Sequence, residues 1–173
     1  MKTLRTLGTV AVAGAILTLG TVGSAMAADT GDTDATFTLA AGSLDVTPAA
    51  GAALTDGAPG AGSVSGSLGA VGVSDTRGST AGWVMSAEST TFTTAGGDPS
   101  TDVTYSAGAA TGVTGEVAAD TLGPKSITTV ATVADGTAAN GNNAATYTPT
   151  LTVGLPASAL AGDYTGTVTT SIL

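Results

Sequence analysis

Histidine and cysteine are both absent from this 173-residue chain, and aromatic residues are few: one Trp, three Tyr and two Phe. Without histidine, the chain lacks the usual general base near neutral pH and the commonest metal ligand. Without cysteine, it has neither a thiolate nucleophile nor a disulfide. An extended sugar cleft also needs several aromatic side chains as its floor. These absences predict a non-catalytic protein that uses no cofactor.

Two catalytic arrangements survive those exclusions, and the sequence supports neither. A serine nucleophile would depend on Lys125, but no Ser-x-x-Lys element or Gly-x-Ser-x-Gly elbow accompanies it. A glycosidase would need two facing carboxyl groups. Glu88 and Glu116 are the only glutamates, and most aspartates lie in segments typical of turns. We therefore expect no catalytic residues.

Basic residues are scarce and are concentrated at the start of the chain. Lys2 and Arg5 precede an apolar run over 7–19, and Ala25-Met26-Ala27 provides small residues where a signal peptidase cleaves. We expect cleavage before Ala28, export of 146 residues, and no membrane insertion afterwards. The exported part would hold two basic residues against 13 acidic ones, a net charge of −11. Such a surface repels nucleic acid and anionic lipid.

Residues 28–35 form a short acidic segment that we expect to be flexible. Asp29, Asp32 and Asp34 lie close together in it, and oxygen ligands suit calcium. Their spacing differs from that of an EF-hand loop, whose glycine and final glutamate are missing. We therefore predict a solvated tail and no metal site.

Alternation of apolar residues with threonine or serine dominates residues 36–173 and predicts strands. Candidates include Thr36–Leu39, Leu44–Val46 and Val103–Tyr105, and the clearest are the last two strands, one around Leu151 and Val153 and one around Val168 and Ile172. Residues 48–62 are expected to form a loop, 75–80 and 135–143 to form turns, and 156–162 to connect the last two strands, with room for one helical turn. Many short strands at this spacing predict one all-β domain, an antiparallel, immunoglobulin-like two-sheet β-sandwich over residues 36–173.

Two stretches resemble the motifs of WxL-domain proteins, which attach non-covalently to the cell wall of Gram-positive bacteria. Residues 73–85 contain an Asp-x-Arg-Gly segment followed by Gly82-Trp83-Val84-Met85, with Met85 at the leucine position. Residues 164–172 begin Tyr-Thr-Gly-Thr and continue with alternating residues, with Thr170 at the position of the distal tryptophan. The resemblance implies a β-sandwich-like domain that binds peptidoglycan.

The residues that we select as wall-binding candidates are Trp83, Met85, Arg77, Asp75 and Tyr164. Trp83 has two possible roles, a plug in the core or a flat face for a sugar ring. Arg77 would either hold a carboxylate of the wall or close the turn by pairing with Asp75 or another nearby acid. The Tyr164 hydroxyl would either pin the preceding loop, as tyrosine corners do, or belong to a tyrosine that is simply half-buried.

The sequence thus predicts a secreted, cell-wall-associated module whose partner is peptidoglycan or another surface protein. An alternative hypothesis is a subunit of an extracellular fibre or surface layer, or an adhesin. Its basis is a Thr-, Ala- and Gly-rich β chain with few large core residues and a final strand at its carboxyl terminus. Strand edges of this kind are natural sites for self-assembly.

Overall fold

The computed structural model describes residues 30–173, so the predicted signal peptide and cleavage site lie outside the described residues. The chain divides into a unit that ends at Phe37 and a second unit, Thr38–Leu173. Residues 30–43 are exposed and have no regular secondary structure. All the strands found in residues 30–173 belong to the second unit.

The fold is all-β, with no helix among residues 30–173. Every strand pair is antiparallel. The strands are β1 (Leu44–Thr47), β2 (Ser63–Ser67), β3 (Val71–Ser79), β4 (Trp83–Ser89), β5 (Asp102–Ser106), β6 (Thr111–Thr121), β7 (Lys125–Ser126), β8 (Ala131–Tyr147), β9 (Thr150–Gly154) and β10 (Val168–Ile172).

These strands form a six-stranded and a four-stranded sheet. The larger sheet follows the order β1-β3-β8-β4-β10, and β6 also pairs with β8. Its edge strands β1 and β10 approach within 8 Å between Cα atoms without pairing, so this sheet is nearly closed. The smaller sheet has the order β2-β9-β5-β7.

The long strand β8 organises the larger sheet, because its first half pairs with β4, its second half with β3, and most of its length with β6. The β6 ladder shifts register repeatedly. Ala138 has a φ of 50° and Gly141 a φ of 71°, and such left-handed residues bend a strand locally.

One hydrophobic cluster contains residues of both sheets, including Val73, Met85 and Tyr147 from the larger sheet and Val103 and Leu151 from the smaller one. Along β5 and β9, apolar residues alternate with threonine, so that one face of each strand is buried. Alanines complete the core where large side chains are lacking.

The structure confirms several predicted segments. Leu44–Val46 lies in β1, Val103–Tyr105 lies in β5, and residues 48–62 contain no strand. In the connection before Tyr164, the amide of Ala159 donates to the carbonyl of Pro156 (3.0 Å), which closes a turn without forming a helix.

Three predicted segments were wrong. Thr36–Leu39 forms no strand among the described residues. The turn expected over 75–80 lies largely inside β3, and the turn expected over 135–143 lies inside β8. The residue types in 135–143 favour turns, but pairing with neighbouring strands satisfies their backbone groups and holds them in the sheet.

Candidate functional site

Asp75 and Arg77 form a two-pronged ion pair on β3. The Arg77 Nε donates to Asp75 Oδ1 (2.9 Å) and Nη2 donates to Oδ2 (2.8 Å), while the Arg77 backbone amide also donates to Oδ1 (3.0 Å). Arg77 Nη2 reaches the Gly82 carbonyl as well (2.9 Å), across the connection between β3 and β4. The side-chain hydrogen bonds from Arg77 hold the Asp75 pKa below its usual value, against the opposing effect of burial.

Trp83 continues this cluster into the core. Its Nε1 donates to Asn143 Oδ1 (3.1 Å), and Asn143 Nδ2 donates in turn to Asp75 Oδ2 (3.4 Å). The indole also packs edge-on against Tyr147, with ring centroids 6.3 Å apart and an interplanar angle of 83°. Asp75, Arg77, Asn143 and Trp83 together are called the motif network. It joins β3, β4 and β8.

Asn143 is the member of this network that sequence reasoning missed. Gly-Asn-Asn at 141–143 is typical of a turn, so its side chain was not expected in the interior. Asn143 is buried, and it satisfies both the indole N–H and the Asp75 carboxylate. The sequence signal for its role was the lone Trp, because a buried indole N–H needs an acceptor.

The structure separates the five wall-binding candidates into buried and accessible residues. Trp83 is 2% exposed, Met85 0% and Asp75 1%. In this conformation none of the three can touch a polymer, and Trp83 has the role of core plug. Arg77 remains partly exposed, at 27% of its side chain, but its guanidinium is committed to Asp75.

Tyr164 is the candidate that faces a cavity. Its ring is half-buried, and its hydroxyl donates to the carbonyl of Leu160, four residues earlier (3.1 Å). The hydroxyl therefore pins the preceding loop, as expected of a tyrosine corner. The neighbouring Thr165 bridges to Thr93 through backbone hydrogen bonds of 3.0 and 3.1 Å, which holds Tyr164 beside the segment that follows β4.

Two cavities share part of their lining, and Tyr164 lines the larger of them. The larger, here the Tyr164 cavity, has a volume of about 480 Å³, and the smaller, here the β10 cavity, about 250 Å³. Ala52, Leu54 and Phe92 line both. The Tyr164 cavity is also lined by residues 53, 55–59 and 159–164 with Val64, Val153 and Leu155, and the β10 cavity by residues 48–51 and 166–168 with Leu68, Val71, Leu151 and Thr170.

The two cavities differ in chemistry. Asp56, Asp163 and the backbone of two loops give the Tyr164 cavity carboxylate and amide groups beside the rings of Phe92 and Tyr164. The β10 cavity has no charged residue in its lining. The first therefore offers carboxylates to a polar ligand, whereas the second offers only uncharged side chains and backbone groups.

Three other groups have perturbed pKa values: Tyr105 and Tyr147 are buried, and Asp102 on β5 is partly buried. Burial raises the pKa of Tyr105, whose hydroxyl has no hydrogen-bond partner among the described residues. Burial, with smaller effects from Asp135 and Asp120, raises the pKa of Tyr147 to about 12. Hydrogen bonds from Ser126 and then Thr104 lower the pKa of Asp102.

Residues 30–173 contain no cluster of three acidic side chains placed to hold a metal ion. In the same part of the chain no helix is long and apolar enough to cross a membrane. Comparison of the chain with models of protein families, with curated proteins and with solved structures finds no match.

Proposed function

We propose that this chain is a secreted, non-catalytic surface module that associates non-covalently with the Gram-positive cell wall, and that its two sheets pack face to face as a β-sandwich. The sandwich is supported by the single core cluster that draws side chains from both sheets. The absence of histidine and cysteine supports a role in binding. The resemblance of two segments to WxL motifs supports the wall as the partner.

The motif network supports the resemblance in a second way. Asp75, Arg77 and Trp83 come from one motif-like segment, and in the folded chain they hydrogen bond as a unit through Asn143. A sequence motif whose members satisfy each other's buried polar groups is a structural signature. On this proposal, these residues keep β3, β4 and β8 in register and do not themselves contact the wall.

The Tyr164 cavity is the proposed site of wall contact, and the half-buried Tyr164 at its rim is the observation that carries the assignment. A volume of about 480 Å³ lies within the usual range for small-ligand sites, about 300–1,000 Å³. Phe92 and Tyr164 offer ring surfaces to the apolar side of a sugar, and the carboxylates of Asp56 and Asp163 in the same lining can accept hydrogen bonds from its hydroxyl groups.

Retention on purified peptidoglycan tests the proposal. We expect the chain that starts at Ala28 to sediment with washed Gram-positive peptidoglycan stripped of its anionic polymers, which would repel a protein this acidic. Leu160, which lines the Tyr164 cavity and is 55% exposed, is changed to Ser, and Val130, 65% exposed and outside both cavities, is changed to Ser as the control.

We expect Leu160→Ser to weaken retention about tenfold, because an apolar wall of the site becomes polar. Val130→Ser should bind as the unaltered chain does. No retention of the unaltered chain would refute wall association. Equal retention of both variants would refute the Tyr164 cavity as the contact site.

A further inference from the structure

The described polar side chains that line the Tyr164 cavity can accept hydrogen bonds from a ligand but have no proton left to donate. They are Thr55, Asp56, Asp163 and Tyr164. The Thr55 hydroxyl donates to the carbonyl of Ser65, and the Tyr164 hydroxyl donates to the carbonyl of Leu160 (3.1 Å). A hydroxyl has a single proton and two lone pairs, and an ionised carboxylate has only lone pairs. The side chains of this lining therefore suit a ligand group that donates.

The two carboxylates of the cavity have no basic partner among residues 30–173. The one ion pair in this part of the chain joins Arg77 to Asp75, and the lining of the cavity includes neither arginine nor lysine. The chain expected after cleavage has two basic residues against 13 acidic ones. A positive charge beside Asp56 and Asp163 therefore comes from outside the chain.

Two aromatic rings belong to the same lining. Phe92 and Tyr164 are both half-buried. The backbone at Gly166 packs against the Phe92 ring, since a Cβ there would lie 2.7–2.8 Å from three of its ring atoms. The face of an aromatic ring is electron-rich and attracts a cation within about 6 Å of its centre. The rings and the carboxylates thus favour a ligand group of the same charge.

We propose that the Tyr164 cavity binds a primary ammonium group of the wall polymer. Asp56 and Asp163 accept hydrogen bonds from this group, and the two rings attract its charge. An ammonium group has three donors and no acceptor, which complements side chains that only accept. The inference rests on the Tyr164 cavity as the site of the proposed function, and it names the chemical group that this site selects.

A hard metal ion fits this lining less well than an ammonium group does. Calcium takes six to eight oxygen ligands, and residues 30–173 contain no cluster of three acidic side chains placed to hold a metal ion. Phe92 has no atom that can coordinate a metal. An ammonium group needs fewer acceptors, and an aromatic ring stabilises it.

An ammonium group of peptidoglycan can belong to either of two parts of the polymer. One is a glucosamine unit that lacks its acetyl group, and the other is the side-chain amine of a diamino acid in the stem peptide. The same donors would face Asp56 and Asp163 in both cases, so the experiment has one arm for each source.

Chemical modification of the amines in purified peptidoglycan tests the requirement for charge. Acetylation removes the positive charge of an amine, whereas reductive methylation keeps it. For the chain that starts at Ala28, we expect acetylation to weaken retention about tenfold and methylation to weaken it less than about threefold. Equal retention on acetylated and untreated peptidoglycan would overturn the ammonium proposal and leave wall association standing.

Two neutral variants assign the effect to the cavity. Asp56→Asn and Asp163→Asn keep the size of the side chain and remove its charge. Each should weaken retention on untreated peptidoglycan about threefold, and both together about tenfold. The matched control is Asp120→Asn, because Asp120 is exposed on β6 and lies outside both linings. The control should bind as the unaltered chain does, and an equal loss in it would overturn the proposed site.

Soluble probes test the same selectivity without the wall. Calorimetry compares a tetrasaccharide of glucosamine with one of N-acetylglucosamine, and a lysine-containing stem tetrapeptide with the same peptide acetylated on its side-chain amine. We expect at least one free amine to bind about tenfold more tightly than its acetylated counterpart. The variant that carries both Asp56→Asn and Asp163→Asn should lose that difference.

The outcome with these probes separates the two proposals. Tighter binding of the glucosamine probe would assign the ammonium group to the glycan, and tighter binding of the free peptide would assign it to the stem peptide. No difference within either pair would overturn the ammonium proposal, whether or not peptidoglycan retains the chain. Binding of a free amine by a chain that peptidoglycan does not retain would uphold the selectivity of the cavity and refute wall association alone.

Discussion

Gly136 lies directly against the only tryptophan of the chain, and a single methyl group there tests the packing of the core. A Cβ on Gly136 would lie 2.5 Å from Trp83 Nε1 and 2.6 Å from Cζ2, and closer still to Cε2. These are contacts with a rigid ring that is 2% exposed. The indole must move, and its hydrogen bond to Asn143 must lengthen or break.

We expect Gly136→Ala to lower the free energy of unfolding by about 2–4 kcal/mol. Overpacking of a filled core costs about 1–3 kcal/mol, and disturbing the hydrogen bond of a buried indole adds about 1 kcal/mol. With a urea dependence of about 2 kcal/mol per M, the midpoint should fall by about 1–2 M. The matched control is Gly72→Ala on β3, where a Cβ would meet nothing within 4 Å.

Urea titration monitored by tryptophan fluorescence measures the loss of stability in Gly136→Ala directly, since the emission comes from Trp83 alone. A displaced indole should also become more accessible to acrylamide. Trp83→Phe removes the part of the ring that meets the new methyl group, so circular dichroism should show a smaller penalty for Gly136→Ala in that background. If Gly136→Ala is as stable as Gly72→Ala and its emission is unchanged, the packing described here is wrong.

Three further predictions concern the motif network and the buried tyrosine next to it. Asn143→Ala should cost about 1–3 kcal/mol in urea unfolding, because the Trp83 N–H loses its acceptor. Arg77 lowers the Asp75 pKa in the folded protein. The stability that this pair contributes should therefore be present above about pH 4, the pKa of an aspartate in the unfolded chain, and be lost as pH falls below it. Asp75→Asn should flatten that part of the plot of urea midpoint against pH. The Tyr147 pKa is raised from 10.0 to about 12, so stability should decline between those pH values as the unfolded chain loses the proton first. Because burial raises the Tyr105 pKa as well, Tyr147→Phe should make this decline shallower without removing it, and a decline as steep as that of the unaltered chain would contradict the prediction.

Local interactions were the part of the site that the sequence made predictable. Asp75 and Arg77 are two residues apart on one strand, so their pairing depends on little beyond the backbone between them. The Tyr164 hydroxyl likewise reaches back only four residues, to Leu160. Contacts over such short separations follow from residue type and local geometry, and they could be expected without a fold.

Contacts between distant segments were not predictable in this way. Trp83 and Asn143 are 60 residues apart, and nothing in Gly-Asn-Asn marks an interior position. The turn-like residues of 135–143 remain in β8 because strands on both sides satisfy their backbone groups. The environment that surrounding strands impose outweighs intrinsic preference in sheets.

The sequence by itself determined that the protein is all-β and that it lacks His- or Cys-dependent chemistry, because both follow from which residues are present and how they alternate. Only the tertiary structure decided that Trp83, Met85 and Asp75 are buried, since burial depends on which strands pack over a residue. It also left Phe37 and Leu39 exposed. A strand-like pattern indicates that a segment can pair with another strand, but the whole fold decides whether a partner strand is present.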